Sequence, residues 1–108
     1  MKTYGEERSF LESCGVRVVE LSDESGRARV CLVPAWQGRV MTSTAAGTGG
    51  PGYGWINRSL IASGVRKSRF NPFGGEERLW LGPEGGPFSL YFAPGAEQVY
   101  ANWQVPAA

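Results

Sequence analysis

The hydrophobic residues change their spacing near Gly15, and this change separates a helix from the strands that follow. The apolar residues before this point share one helical face: Phe10, Leu11 and Cys14. Thr3 followed three residues later by Glu6 is the pattern of an N-terminal capping box. Gly15 is a typical helix end, because glycine adopts the left-handed conformation that terminates helices. The sequence therefore predicts a helix over residues 3–14.

After this helix, most apolar stretches are short and several alternate with polar residues, as in half-buried strands. The predicted strands are residues 16–21, 28–32, 39–44, 79–81, 88–92 and 99–105. In the second of them, Ala28, Val30 and Leu32 alternate with Arg29 and Cys31, and Pro34 ends the strand. Turns are predicted at 22–26 and 36–38, and a glycine-rich loop at 45–54. Residues 55–64 fit either a short helix or a strand, and 65–70 fit a connector.

This order of elements predicts a mainly β protein. We expect a partial or small antiparallel β-sandwich with a short N-terminal helix. At 108 residues, the chain has room for a single domain over 1–108. It stops directly after a strand-like stretch, so we expect that domain to be the N-terminal part of a longer one.

Composition excludes several classes of function. There are 11 Lys and Arg against 10 Asp and Glu, and the net charge of +1 predicts no binding to nucleic acid or an anionic membrane. No His accompanies Cys14 and Cys31, so no zinc site or other metal or cofactor is expected. Two buried free thiols are expected, with one disulfide as the alternative. Without a signal peptide or membrane span, the default location is the cytoplasm, and a signal lost upstream would place the protein in the periplasm or outside the cell.

Residues 47–52 match the GxGxxG pattern of dinucleotide-binding loops. That site needs a helix that opens within the motif, so that its first amides face the pyrophosphate. Here Pro51 and a further Gly-Tyr-Gly follow, and no βαβ pattern surrounds the motif. We therefore expect a flexible connection in a β protein.

Residues 71–92 gather charged side chains between two Gly-Gly pairs. The segment carries Glu76, Glu77, Arg78, Trp80 and Glu84. Two carboxylates can act as acid and base on a sugar, but without a His they have no partner that titrates near neutral pH. Pairing of one Glu with Arg78 is the favoured alternative to catalysis, so no catalytic residue is predicted. For binding, Glu, Arg and Trp supply bidentate hydrogen bonds and an apolar ring face for a sugar.

The sequence also resembles a known family. The motifs are TYGEERSFL (3–11), VPAWQGRVMTSTA (33–45), GWINRSLI (54–61), FGGEERLWLGPEGGPFSLYF (73–92) and NWQVPA (102–107). Together they resemble the N-terminal portion of an uncharacterised bacterial branch of the galactose-mutarotase-like superfamily, whose β-supersandwich members bind carbohydrate. The resemblance implies that Asn57 and Arg58 are the counterparts of the Asn-Arg pair in the sugar pocket of aldose 1-epimerases. Phe73 stands where those enzymes have a His, and their second His and general-base Glu lie beyond residue 108.

The predicted function is carbohydrate recognition without a complete catalytic machinery. The candidate ligand-binding residues are Asn57, Arg58, Glu76, Arg78, Trp80 and Glu84, and the expected partner is a mono- or oligosaccharide. One alternative is part of a sugar epimerase or carbohydrate-processing enzyme that needs residues beyond 108. The other is a β interaction module that forms a homodimer through exposed sheet edges.

Overall fold

The computed structural model describes residues 2–67, 70–79 and 92–102. The elements are helix α1 (Tyr4–Ser13), strands β1 (Val19–Ser22), β2 (Arg29–Val33) and β3 (Arg39–Thr44), helix α2 (Arg58–Ser63) and a 3-10 turn (Tyr100–Asn102). The strands form one antiparallel sheet in the order β1-β2-β3. The expected mainly β character and the short N-terminal helix are confirmed.

Helix α1 begins and ends as its sequence predicts. The Thr3 hydroxyl accepts a hydrogen bond from the Glu6 amide at 3.1 Å. At the other end Gly15 has a φ of +78°, and the Val16 amide donates back to the Leu11 carbonyl at 3.1 Å. This is the backbone pattern of a Schellman cap. Because Val16 completes the helix end, β1 begins only at Val19, three residues later than predicted.

The glycine-rich loop connects β3 to α2 and also contacts the N-terminus of α1. The carbonyls of Gly50 and Thr48 accept hydrogen bonds from the Tyr4 and Gly5 amides, both at 2.9 Å. These are two of the amides that a helix N-terminus leaves without an intrahelical partner. No helix opens within residues 47–52, so the motif lacks the helix that a dinucleotide-binding loop needs.

The sheet buries the face of β2 that carries Cys31 and Val33. Val30 and Leu32 are half-buried on the opposite face. The buried face packs with residues from α1, β3, α2 and the loops, and the core contains Tyr4, Leu11, Cys31, Val33, Trp36, Met41, Ile56, Ile61 and Phe73. Cys14 and Cys31 are free thiols, and burial raises the pKa of Cys31 to about 11.

Two further regions test the remaining strand predictions. The undecided stretch 55–64 contains α2, which Asn57 caps at its N-terminus and Gly64, in the left-handed conformation, at its C-terminus. The strand predicted over 99–105 is wrong in its described part, where Tyr100–Asn102 forms a 3-10 turn. There the Asn102 side chain donates to the Glu97 carbonyl at 2.8 Å, a local bond that competes with extended structure. The strands predicted over 79–81 and 88–92 lie outside the described residues except for Leu79 and Phe92, and neither of these two is in a strand.

Candidate functional site

The candidate site is a backbone corner at residues 74–78, called the glycine corner below. Gly74 and Gly75 have φ values of +91° and +98°, in the region that favours glycine. A Cβ at Gly74 would lie 2.3 Å from the Trp55 carbonyl oxygen, and one at Gly75 would lie 2.8 Å from that of Val40. The chain therefore passes so close to its neighbours that only glycine fits without displacement.

Backbone hydrogen bonds fix this corner between β3 and the residues before α2. The Gly75 amide donates to the Trp55 carbonyl at 2.6 Å. The Glu76 amide donates to the Val40 carbonyl, and the Val40 amide donates to the Glu77 carbonyl, both at 2.8 Å. The pair Val40 and Glu77 thus forms an antiparallel bridge on β3. The backbone of the residues that follow the two glycines is consequently held in place by the sheet.

Arg39 supports the corner from the core side. It is 5% exposed, and its Nη1 donates to the Gly74 carbonyl at 2.9 Å. Burial and the positive charge of Arg78 hold the pKa of Arg39 below its ordinary value. Phe73 lies beside Arg39 and stacks on Trp36, with ring centroids 3.8 Å apart and planes inclined by 9°. The residue that stands where epimerases have a His is thus a fully buried part of the core.

A cavity of about 80 Å³ lies at the glycine corner. Its lining consists of Arg39, Gly74, Gly75, Glu76, Glu77 and Arg78. Both carboxylate oxygens of Glu76 lie 2.9 Å from the Ser43 hydroxyl, which donates to them. One Glu77 oxygen accepts from the backbone amide of Arg78 at 3.1 Å. Two acidic and two basic residues therefore line one small polar space.

Of the predicted ligand-binding residues, Glu76 and Arg78 meet in this cavity. Trp80 and Glu84 lie outside the described residues, as does the second Gly-Gly pair. Asn57 and Arg58 do not line the cavity. The part played by all six in binding stays a prediction.

Asn57 and Arg58 have structural partners of their own. Asn57 accepts a hydrogen bond from the Leu60 amide at 3.3 Å, and its Nδ2 donates to the Pro72 carbonyl at 2.9 Å. The guanidinium of Arg58 lies 3.1 Å from Glu7 and 4.3 Å from the ring centroid of Phe10, both on α1. Asn57 and Arg58 thus connect α2 to Pro72 and to α1.

Three residues that sequence reasoning did not select contribute to the site: Arg39, Ser43 and Trp55. Trp55 is 66% exposed. Its ring lies against Gly74, since a Cβ there would be 2.8 Å from Cε3 of the indole. The available sequence signal was weak, because Arg39 and Ser43 belong to a β-prone stretch in which charged and hydroxyl residues normally face solvent.

Comparison with known proteins identifies the family. The sequence model of a family of unknown function, DUF6786, matches residues 2–108. The chain belongs to the DUF6786 family. Neither the curated proteins nor the solved structures contain a match. DUF6786 has no assigned activity. A function for this chain therefore has to be inferred from the chemistry of the glycine corner.

No helix among residues 2–67, 70–79 and 92–102 is both long and apolar enough to cross a membrane. Within the same ranges, no group of three or more His, Cys, Asp or Glu is placed to hold a metal ion.

Proposed function

We propose that this DUF6786 chain recognises carbohydrate at the glycine corner. The observation that supports it is a cavity lined by two glutamates and two arginines, with the exposed Trp55 against Gly74. A sugar offers neighbouring hydroxyl groups that both donate and accept hydrogen bonds. Carboxylates accept from such hydroxyls and guanidiniums donate to them. The indole of Trp55 supplies an apolar surface for the C–H face of the ring.

The size of the cavity determines how much of a sugar it can take. Pockets that enclose a small-molecule ligand measure about 300–1,000 Å³, whereas the corner offers about 80 Å³. The corner would therefore bind one polar edge of a sugar ring, with the rest of the ligand on the surrounding surface. Affinity for a single sugar should be correspondingly weak, with a Kd in the millimolar range, about −4 kcal/mol.

We propose further that the chain is the N-terminal portion of a galactose-mutarotase-like supersandwich. The resemblance of its motifs and its mainly β architecture support this assignment. Recognition without catalysis is favoured because the chain has no His. In addition, Glu76 and Glu77 are exposed, whereas a carboxyl group acting as an acid near neutral pH needs burial.

The test is saturation-transfer NMR with glucose and galactose, followed by titration to obtain Kd. We expect Glu76→Gln to weaken binding at least fivefold, because it removes a charged acceptor while keeping the size of the side chain. Glu24→Gln is the matched control, since Glu24 is an exposed glutamate in the turn between β1 and β2. If neither sugar gives a signal at about 50 mM, which is far above a millimolar Kd, the proposal is refuted.

A second candidate function is self-association through β1. In the part of the chain that the structure describes, β1 pairs only with β2, so its other edge carries no strand. Leu21 on this strand is 58% exposed. An unpaired edge with an exposed apolar side chain is a template for pairing with a second copy.

A further inference from the structure

A second exposed aromatic residue, Tyr53, lies two positions before Trp55 on the segment that runs along β3. Tyr53 is 60% exposed and Trp55 is 66% exposed. The Tyr53 amide donates to the Ser43 carbonyl at 3.0 Å, and the Ser43 hydroxyl donates to Glu76. Trp55 reaches the corner on its other flank, through Gly74. The backbone of Tyr53 is therefore bonded to the residue that contacts Glu76, and the ring of Trp55 lies against Gly74.

The backbone between the two rings is held firmly against β3. The Gly54 amide donates to the Thr42 hydroxyl at 3.3 Å. A Cβ at Gly54 would lie 2.0 Å from the Met41 carbonyl oxygen, so the segment has no room to shift towards the strand. Two residues of chain span at most about 7 Å. Tyr53 and Trp55 are thus two exposed rings on a fixed backbone, and a ligand need not order that backbone when it binds.

We infer that the ligand of the glycine corner is an oligosaccharide of at least two sugar units, with Tyr53 and Trp55 beneath neighbouring rings. The inference rests on the proposed carbohydrate recognition and adds the length of the ligand. The corner is too small to enclose even one sugar, so most of the contact area must come from its surroundings. Tyr53 and Trp55 offer two exposed aromatic side chains on the neighbouring segment, and each ring is of a size to stack on one sugar ring.

The experiment measures Kd for glucose and galactose and for the β-1,4-linked di-, tri- and tetrasaccharides of each. We expect the better series to bind about tenfold more tightly as a tetrasaccharide than as a single sugar, which is about 1.4 kcal/mol. Tyr53→Ala should remove that gain. Tyr53→Phe, which keeps the ring, should retain it, and Trp55→Ala should weaken both ligands.

Phe70→Ala is the control, because Phe70 is an exposed ring (42%) that does not line the cavity. Affinity that stays constant with length in both series, or equal effects of Tyr53→Ala and Phe70→Ala, would overturn the inference. Binding of a single sugar that depends on Glu76 would, in that case, leave the proposed function standing. If no saccharide binds, both the inferred ligand length and the proposed carbohydrate recognition are refuted. Thermal unfolding of each variant verifies that it is folded.

Discussion

Glu20 is the residue whose loss should most clearly destabilise the fold without touching the glycine corner. One carboxylate oxygen accepts from the Tyr4 hydroxyl at 2.9 Å and from Arg8 Nη1 at 2.6 Å. The other accepts from Arg29 Nη1 at 2.7 Å. These three donors belong to α1 and β2, while Glu20 lies on β1. Replacement by Gln keeps the size of the side chain but places an amide donor among groups that already donate.

The size of the effect follows from burial and charge. A hydrogen bond to a charged group contributes about 1.5–3 kcal/mol, and the lower end applies where water has access. The Glu20 side chain is 23% exposed, and Tyr4, one of its donors, is fully buried. The single Gln oxygen can still accept from Tyr4 and Arg8, but the bonds lose their charge and the amide nitrogen faces Arg29. We therefore expect Glu20→Gln to lower the free energy of unfolding by about 2–3 kcal/mol at pH 7. That is a large share of the 5–15 kcal/mol typical of a domain.

The same carboxylate makes a pH-dependent contribution with a definite sign. Burial alone would raise the pKa of Glu20, but hydrogen bonds from Tyr4 and Arg8 and the charges of Arg8 and Arg29 outweigh burial and lower it. The unfolded chain has a Glu pKa of about 4.3. The stabilisation by Glu20 is therefore complete above that value and is lost as the pH falls through the folded pKa. The difference between wild type and Glu20→Gln should shrink in acid.

Urea unfolding followed by circular dichroism, at pH 7 and at several values below 5, measures both effects. Glu12→Gln is the matched control, since Glu12 also pairs with Arg8, at 3.5 Å, but is 56% exposed. An exposed pair of this kind contributes about 0.5 kcal/mol or less. Equal losses for the two variants at pH 7 would refute the argument. So would a difference between wild type and Glu20→Gln that does not change with pH.

Two further predictions concern activity and assembly. We expect no mutarotation of fresh glucose or galactose above the buffer rate by polarimetry, because the chain lacks a His and exposes Glu76 and Glu77; enzyme-dependent mutarotation abolished by Glu84→Gln would contradict this. We expect sedimentation velocity to show a mass that increases with protein concentration, because β1 has an unpaired edge. Leu21→Lys should restore the monomer, whereas the control Val65→Lys, at a similarly exposed site (55%), should not. A wild-type monomer at every concentration would contradict the prediction.

The parts of the fold that the sequence predicted well are those determined by local interactions. The Thr3 cap and the Gly15 end of α1 involve only residues three to five positions apart. β3 has the predicted bounds, Arg39–Thr44, because a β-prone stretch stands between a tight turn and a run of glycines. The end of the chain was mispredicted where the Asn102 side chain bonds the Glu97 backbone. β-rich composition alone did not reveal that bond.

The candidate site could be predicted only in part, for the same reason. Glu76 and Arg78 are two residues apart, so their common cavity follows from local backbone geometry. Arg39 meets the corner across 35 positions of sequence, and Ser43 meets Glu76 across 33. Trp55 meets it through the close approach of Gly74. Contacts over such separations depend on how residues 74–78 pack against β3. The local sequence patterns of a single chain do not specify that packing.

The positions of these residues also determine which substitutions can separate binding from folding. Arg39 is buried and bonds the Gly74 carbonyl, so its replacement would disturb the corner and the core together. Tyr53 and Trp55 are mostly exposed, and Glu76 is exposed as well. Their backbones are fixed by bonds to Ser43, Gly75 and Val40 that do not involve their side chains. Truncating these side chains should leave the scaffold intact, so a loss of saccharide binding in such variants can be assigned to the missing groups themselves.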